Sequence, residues 1–198
     1  MRKIHSKDML IEAGLELVLK QGYNATGVEK VLKHAKIPKG SFYNFFSSKE
    51  EFGLAMIDAF AGKMTDVIQD SLEDNALKPL ERIRKSFEQM IDIFEKNNCS
   101  GGCLIGNLSL EMADSNDVLR QRLESALQSW SDALASVILE ARQDGSIPES
   151  LDAEMLAENM ILSLQGALLR AKVKKSSEPL KNFIFLYFDV FLAQLKQK

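Results

Sequence analysis

Two stretches of the chain carry side chains whose types and spacing suit chemistry. From Lys39 to Asn44 the order is Lys-Gly-Ser-Phe-Tyr-Asn, which gathers an ammonium, a hydroxyl, a phenol and a carboxamide. Short polar groups near a helix N-terminus suit phosphate oxygens and base edges. Lys39, Gly40, Ser41, Tyr43 and Asn44 are therefore candidate contacts, flanked by Thr26 and Lys49. Lys39, Tyr43, Lys49 and Thr26 suit phosphates, whereas Ser41 and Asn44 are better matched to base edges. The second stretch is Gly101-Gly102-Cys103. Cys103 begins an expected helix, where unpaired N–H groups and the helix dipole favour the thiolate, the reactive form. Cysteine is also among the commonest buried residues, so an inert packing role stands beside the reactive one. Cys99 is either a resolving thiol for a reversible disulfide with Cys103 or an incidental loop cysteine.

Helices must position these groups. Thr26 and Glu29 have capping-box spacing, which predicts a helix from Gly27 or Val28 with Val28, Val31, Leu32 and Ala35 on one stripe. Pro38 cannot donate an N–H to continue it, so the chain turns near Lys36 and Ile37. A short helix over roughly Lys39 to Phe46 follows, with Phe42, Phe45 and Phe46 inward. Before these, Leu10, Ala13, Gly14, Leu17 and Val18 form the buried stripe of a first helix ending near Gly22. Ser48 and Glu51 form a second capping box and open a long helix to about Leu72, with Phe52, Met56, Phe60 and Met64 inward. Helical periodicity then predicts Pro79 to Lys96, Cys103 to Ala113, Asp117 to Gln143, Asp152 to Lys174 and Pro179 to Leu195. Breaks fall at Asp74-Asn75, Ser100-Gly101-Gly102, Gly145-Ser146 with Pro148, and Ser176-Ser177. The expected fold is all-α with about nine helices: an N-terminal three-helix unit over 1–50 and a larger helical unit over 51–198.

The stretch from Thr26 to Phe52 resembles the DNA-binding half of the TetR family of bacterial repressors. Lys39, Gly40, Ser41, Phe42, Tyr43, Phe46, Ser48, Lys49 and Glu50 all match its hallmark, about 40 residues from the N-terminus. The chain departs at Pro38, where many members have a capping serine; proline is acceptable in a first turn but removes one hydroxyl. The resemblance implies a helix-turn-helix DNA-binding domain and a C-terminal ligand-sensing and dimerisation domain.

Charge is distributed unevenly between these regions. Residues 1–50 hold nine Lys/Arg and five Asp/Glu, a net of +4, whereas residues 51–198 hold sixteen against twenty-three, a net of −7. A nucleic-acid face needs that concentration of cations, because phosphate neutralisation supplies most non-specific affinity. The basic start at Arg2, Lys3, His5 and Lys7 runs straight into Asp8, Glu12 and Glu16, so no targeting signal is expected and the chain should stay in the cytoplasm. The most hydrophobic stretch, Phe183 to Ala193, is interrupted by Asp189 and reaches only about half the ~20 residues of a membrane span. Two cysteines in a reducing compartment predict no stabilising disulfide. They also cannot form a tetrahedral zinc site alone, and His5 and His34 lie in the N-terminal half, so neither metal nor cofactor is expected.

Apolar residues occupy more than one face between Leu156 and Leu169 and again between Phe183 and Leu192. A helix that is apolar nearly all round is covered either by its own domain or by a partner. The resemblance implies that helices 152–174 and 179–195 pair with their copies in a homodimer. A twofold dimer sets its recognition helices roughly 34 to 36 Å apart, so the double-stranded DNA operator should be a pseudo-palindrome. Met56, Phe60, Met90, Phe94, Trp130 and Met160 could line an apolar pocket for a small-molecule inducer, with Asn107 and Glu111 as polar contacts. Most of these are equally suited to ordinary packing, and the two polar residues to a solvated face.

Gly102-Cys103-Leu104 with Asn107, Leu108 and Glu111, and Ala171-Lys172 through Leu180, resemble the TetR subgroup of the N-ethylmaleimide reductase repressor. That resemblance implies a cysteine at Cys103 that reacts with electrophiles or oxidants, assisted by Lys172. Release by a purely non-covalent inducer is the alternative, since Gly-Cys-Leu also opens this helix in members that bind inducers non-covalently. An enzyme using Cys103 as nucleophile would need a base, and neither histidine is near it in sequence.

Overall fold

A computed structural model describes residues 7–195, and the basic start at Arg2, Lys3 and His5 lies outside them. Nine α-helices, one 3-10 helix and one π-helical stretch are formed, with no strand among the described residues. In chain order they are α1 Lys7–Gln21, α2 Val28–Ala35, the 3-10 helix Lys39–Asn44, α3 Lys49–Leu72, α4 Pro79–Lys96 and α5 Leu104–Met112. Then come α6 Asp117–Gln143, α7 Ala153–Lys174, α8 Glu178–Ile184, the π-helical stretch Phe185–Phe191 and α9 Leu192–Leu195. The loops fall at the breaks that Gly, Pro, Asn and Ser mark in the sequence.

The chain divides into two compact units that do not follow a single cut in the sequence. One holds the chain up to Gly62 together with Cys103–Ala126; the other holds Lys63–Gly102 and the chain from Leu127 on. The expected cut at residue 50 thus differs from the division by contacts, which falls inside α3 and inside α6.

In the first unit α1 packs on α2, α2 on the 3-10 helix and α1 on α5. Leu10, Ala13, Val18, Val31 and Leu32 meet there with an aromatic cluster. The rings of Phe42, Phe46 and Phe52 lie 4.9 to 5.4 Å apart at tilted or edge-on angles, a favourable arrangement for aromatic pairs. A Cβ at Gly14 would meet Phe52 Cζ at 2.4 Å and Met56 Sδ at 2.6 Å, so this position keeps α1 close to α3 only as glycine.

Helix α2 starts where expected, but without a capping box. Its N-cap is Gly27 and receives no side-chain hydrogen bond. The Thr26 hydroxyl instead donates back to the Gly22 carbonyl at 2.6 Å and accepts from Gln21 Nε2 at 3.1 Å. A threonine whose hydroxyl finds a carbonyl four residues earlier satisfies itself locally and leaves the cap. Helix α2 ends at Lys36, which adopts a left-handed conformation with φ of 57° and donates to Leu32 and Lys33 carbonyls. The second box forms in half. Ser48 Oγ accepts from Glu51 N at 3.0 Å, while the Glu51 carboxylate returns to Ser47 N and Oγ, both at 2.7 Å, one residue before the expected site.

In the second unit α7 packs on α8 and α4 on α8. Phe87 meets Phe183 edge-on at 5.1 Å, and Asp152 caps α7 by accepting from Met155 N at 2.9 Å. The final helix carries its π-helical turn where Leu192 N donates to the Tyr187 carbonyl five residues back. The outer surfaces of these helices remain apolar: Met155, Leu162, Leu169 and Val173 on α7, and Phe185 and Leu186 beyond α8, are exposed.

Candidate functional site

The segment Lys39–Asn44 forms a 3-10 helix rather than the expected α-helix, with Pro38 as its N-cap. A six-residue piece starting after proline has too little length for i-to-i−4 bonding to dominate, and the tighter form suffices. Phe42 is wholly buried beneath it. Lys39, Gly40, Tyr43 and Asn44 face outward, Tyr43 with 71% of its surface exposed, and Ser41 is half-buried. The Lys39 ammonium pairs with Glu29 at 2.9 Å, and that hydrogen bond holds the Glu29 carboxyl below its usual range. The pair is exposed on both sides, so the ammonium can exchange Glu29 for another anion at small cost.

The flanking candidates behave differently. Thr26 is buried, its hydroxyl committed to Gly22, and so it does not present an oxygen at the surface. Lys49 sits half-buried at the start of α3 and donates to the Tyr23 carbonyl at 2.8 Å, with its ammonium 4.4 Å from the centre of the Tyr23 ring. Desolvation lowers its pKa, opposed by the nearby Glu111 carboxylate. The Tyr23 hydroxyl in turn donates to the Lys49 carbonyl at 2.8 Å. Burial pushes the Tyr23 phenol up to about 12, with Glu50 and Glu111 adding to the effect.

Glu111 also leaves its expected place as a pocket contact. Its two oxygens accept from Tyr23 N at 2.8 Å and Asn24 N at 2.6 Å, in the loop between α1 and α2. The preceding Gly22 has φ of +88°, and a Cβ there would lie 3.1 Å from a Glu111 oxygen. A carboxylate that accepts two backbone N–H groups is a strong tether. It fastens α5 to the loop that precedes α2. Asn116 adds another link, donating to Glu50 at 2.6 Å. Sequence reading missed Tyr23, Glu50 and Asn116, because partners as far apart as 88 residues leave no local pattern.

Residues 10–56 match the family of bacterial regulatory proteins, tetR family, and residues 79–185 match the tetracyclin repressor-like C-terminal domain. The chain belongs to the TetR family. The transcriptional repressor DhaR of Mycobacterium sp. (strain GP1) is 36% identical over 183 residues, covering 92% of this chain and 90% of that protein. A crystal structure of a regulatory protein TetR from Rhodobacter sphaeroides superposes with a TM-score of 0.85 at 36% identity, covering 89% of this chain and 93% of that one. The transcriptional repressor NemR of Escherichia coli (strain K12) is 29% identical over 181 residues, covering 89% of both proteins. The crystal structure of its reduced form gives a TM-score of 0.84, covering 92% of this chain and 95% of that one. These relatives are transcriptional regulators and not enzymes. The chain is accordingly a DNA-binding TetR-type transcriptional repressor, similar to the NemR subgroup.

The remaining candidates of this TetR-family chain are spread over both units. Met56, Phe60, Asn107 and Glu111 belong to the first, and Met90, Phe94, Trp130 and Met160 to the second. Met56, Phe94 and Met160 are buried packing groups, and Phe60, Met90 and Asn107 are half-buried. Trp130 Nε1 donates weakly to Thr65 Oγ1 at 3.3 Å. Cys103 lies in the first unit, half-buried, and its extended backbone makes it the N-cap of α5 instead of the first helical residue. Lys172 is half-buried in the last turn of α7, in the second unit. Cys99 is buried in a turn with φ of 51°. His34 pairs with Glu16 at 2.7 Å. No described helix is long and apolar enough to cross a membrane.

Proposed function

We propose that this repressor binds a pseudo-palindromic operator as a homodimer and releases it when its C-terminal region is ligated or Cys103 is modified. The observation that carries the DNA contact is the 3-10 helix Lys39–Asn44. It sets Lys39, Tyr43 and Asn44 outward over the buried Phe42 and Phe46. A rigid aromatic floor under exposed cationic and polar tips is what groove recognition requires, since contacts must be held in register before they can specify. Lys39 and Tyr43 serve phosphates, Gly40 permits close approach, and Ser41 and Asn44 reach base edges. Lys49 acts first on the Tyr23 loop and only through it on DNA.

Homodimerisation is supported by the exposed Met155, Leu162, Leu169 and Val173 on α7 with Phe185 and Leu186 on the final helix. Leu162 and Leu169 lie seven residues after Met155 and Leu162 respectively, so they share one helix face. For release, the position of Cys103 as N-cap of α5 favours the covalent reading. Helix α5 carries Cys103 at its start and Glu111 near its end, and Glu111 holds the loop before α2. A change at the thiol therefore has a short physical route to the helix-turn-helix.

A gel shift on the DNA upstream of the protein's own gene, run at increasing salt, tests operator binding; no complex at low salt overturns it. Release of that complex by quinones, aldehydes and hypochlorite, compared between wild type and Cys103→Ser, tests the signal. Equal release from both proteins removes covalent sensing and leaves a non-covalent inducer.

A further inference from the structure

The second unit holds a cavity of about 560 Å³ between the end of α3, the start of α4 and the second half of α6. Enclosed space of this size is typical of small-molecule sites. Apart from Trp130, its lining is not the set that hydrophobic patterning nominates. Ile68, Trp130 and Val137 give apolar wall, while Glu73, Arg82 and Glu140 give polar groups.

Arg82 is unusual among these. It is only 5% exposed. Its Nη1 donates to the Leu72 carbonyl at 2.8 Å and its Nη2 pairs with the Glu140 carboxylate. Its Nε has no acceptor, and among the described residues it is the one buried side-chain nitrogen or oxygen in that condition. A buried donor left without an acceptor costs free energy that a guest oxygen would recover.

We infer that this cavity binds a neutral small molecule whose carbonyl-type oxygen accepts from Arg82 Nε and whose apolar body packs against Trp130. The charge of the lining selects the class. Glu140 already offsets the Arg82 charge, and Glu73 adds a second carboxylate, so an anionic guest meets a net negative wall. A cationic guest would leave the Nε donor unsatisfied and face the guanidinium. A neutral acceptor satisfies the donor without opposing either carboxylate. This inference deepens the reading of the C-terminal region as ligand-sensing and rests on it for its biological role. The binding site itself stands or falls without DNA.

Trp130 is the only tryptophan in the chain, so its emission reports on the cavity directly. The test titrates the DNA-free full chain with cyclohexanone, methylcyclohexane and cyclohexanecarboxylate, which vary the polar group on one ring. Cyclohexanone should give a saturable change in emission, and the hydrocarbon and the carboxylate should bind at least about tenfold more weakly, the worth of one hydrogen bond to a charged donor. Arg82→Lys keeps the charge and removes the Nε donor, and should weaken ketone binding by about tenfold. Ser136→Phe, at an exposed lining position remote from the fold's buried core, should abolish it by filling the space. Should Arg82→Lys fail to fold, Ser136→Phe decides. Purely linear quenching by the ketone, unchanged affinity in Ser136→Phe or in folded Arg82→Lys, or tighter binding of the carboxylate than of the ketone would each overturn the inference. Because no DNA is present, such a failure leaves operator binding untouched, and a failed gel shift leaves the cavity untouched.

Discussion

The surface of residues 39–44 and the outer face of α7 with the final helix are built on opposite plans. In the first, the large apolar groups turn inward: Phe42 and Phe46 are buried with Phe52, and Lys39, Tyr43 and Asn44 are left outside. In the second, Leu162, Leu169, Val173, Phe185 and Leu186 themselves face outward, although the same helices bury Leu164, Leu180 and Phe183 on their inner side. The first surface is complete as it stands and offers charge and hydrogen bonds to a polar partner. The second exposes apolar area that gains free energy only when another apolar surface covers it. A regulator of this kind therefore needs a stable core under its DNA face but a partner against its helical face. Substitutions in the two places should have different signatures.

The sharpest test of that contrast removes the aromatic floor. Phe42→Ala takes a wholly buried ring from between Tyr43, Phe46 and Phe52 and should cost about 3–5 kcal/mol of stability, read by chemical denaturation. A small loss would mean that the cluster does not hold the 3-10 helix. On the opposite surface, Leu162→Glu should leave the folded protomer intact, yet remove about 1.5–3 kcal/mol of burial from each copy in a dimer. Sedimentation should then show monomer with unchanged helicity. A variant that stays dimeric at the same concentration would place the subunit contact elsewhere.

Smaller effects separate support from contact. Glu111→Gln loses the charge that accepts from Tyr23 N and Asn24 N and should destabilise by about 1.5–3 kcal/mol. Its exposed neighbour Leu110→Ser should stay within about 0.5 kcal/mol. Equal melting of the two variants would dissolve the tether. Lys39→Gln should leave stability alone but flatten the salt dependence of operator binding by about one unit of slope, as expected for one lost phosphate contact. An unchanged slope would remove Lys39 from the interface.

Local chemistry was legible in the sequence and long-range pairing was not. Helices α4 and α6 begin and end where their Pro, Asp and apolar periodicity set them, because those signals act within a few residues. The aromatic floor was readable from the spacing of Phe42 and Phe46. Thr26 was misplaced because its hydroxyl has two local partners in competition, the helix cap and the Gly22 carbonyl, and spacing alone does not choose between them. Glu111 and Lys49 were assigned to pocket and phosphate, yet both serve the Tyr23 loop, since a carboxylate or ammonium carries no mark of which distant backbone it meets. Nor does a segment that is apolar on all faces, such as Phe183 to Leu192, reveal a π-helical turn, as its pattern fits more than one period. The Arg82 cavity had no sequence signal at all, because an unsatisfied Nε is defined by what surrounds it.

The smallest effect tests how tightly the Tyr23 clamp supports the DNA face. Burial, with Glu50 and Glu111, raises the Tyr23 phenol from its ordinary 10.0 to about 12 in the folded chain. Between those values the unfolded chain gives up the phenolic proton while the folded chain retains it. Unfolding therefore releases a proton there, and stability falls as pH rises. The contribution is fully present below pH 10.0 and is lost as pH approaches about 12. Tyr23→Phe removes the titrating group together with its bond to the Lys49 carbonyl, so the variant should be less stable at neutral pH but decline less steeply on the alkaline side. Denaturant midpoints for both proteins across that alkaline range give the comparison. Parallel declines would mean that the phenol titrates alike in both states, and that the ring beneath Lys49 is more open to water than its packing against the loop implies.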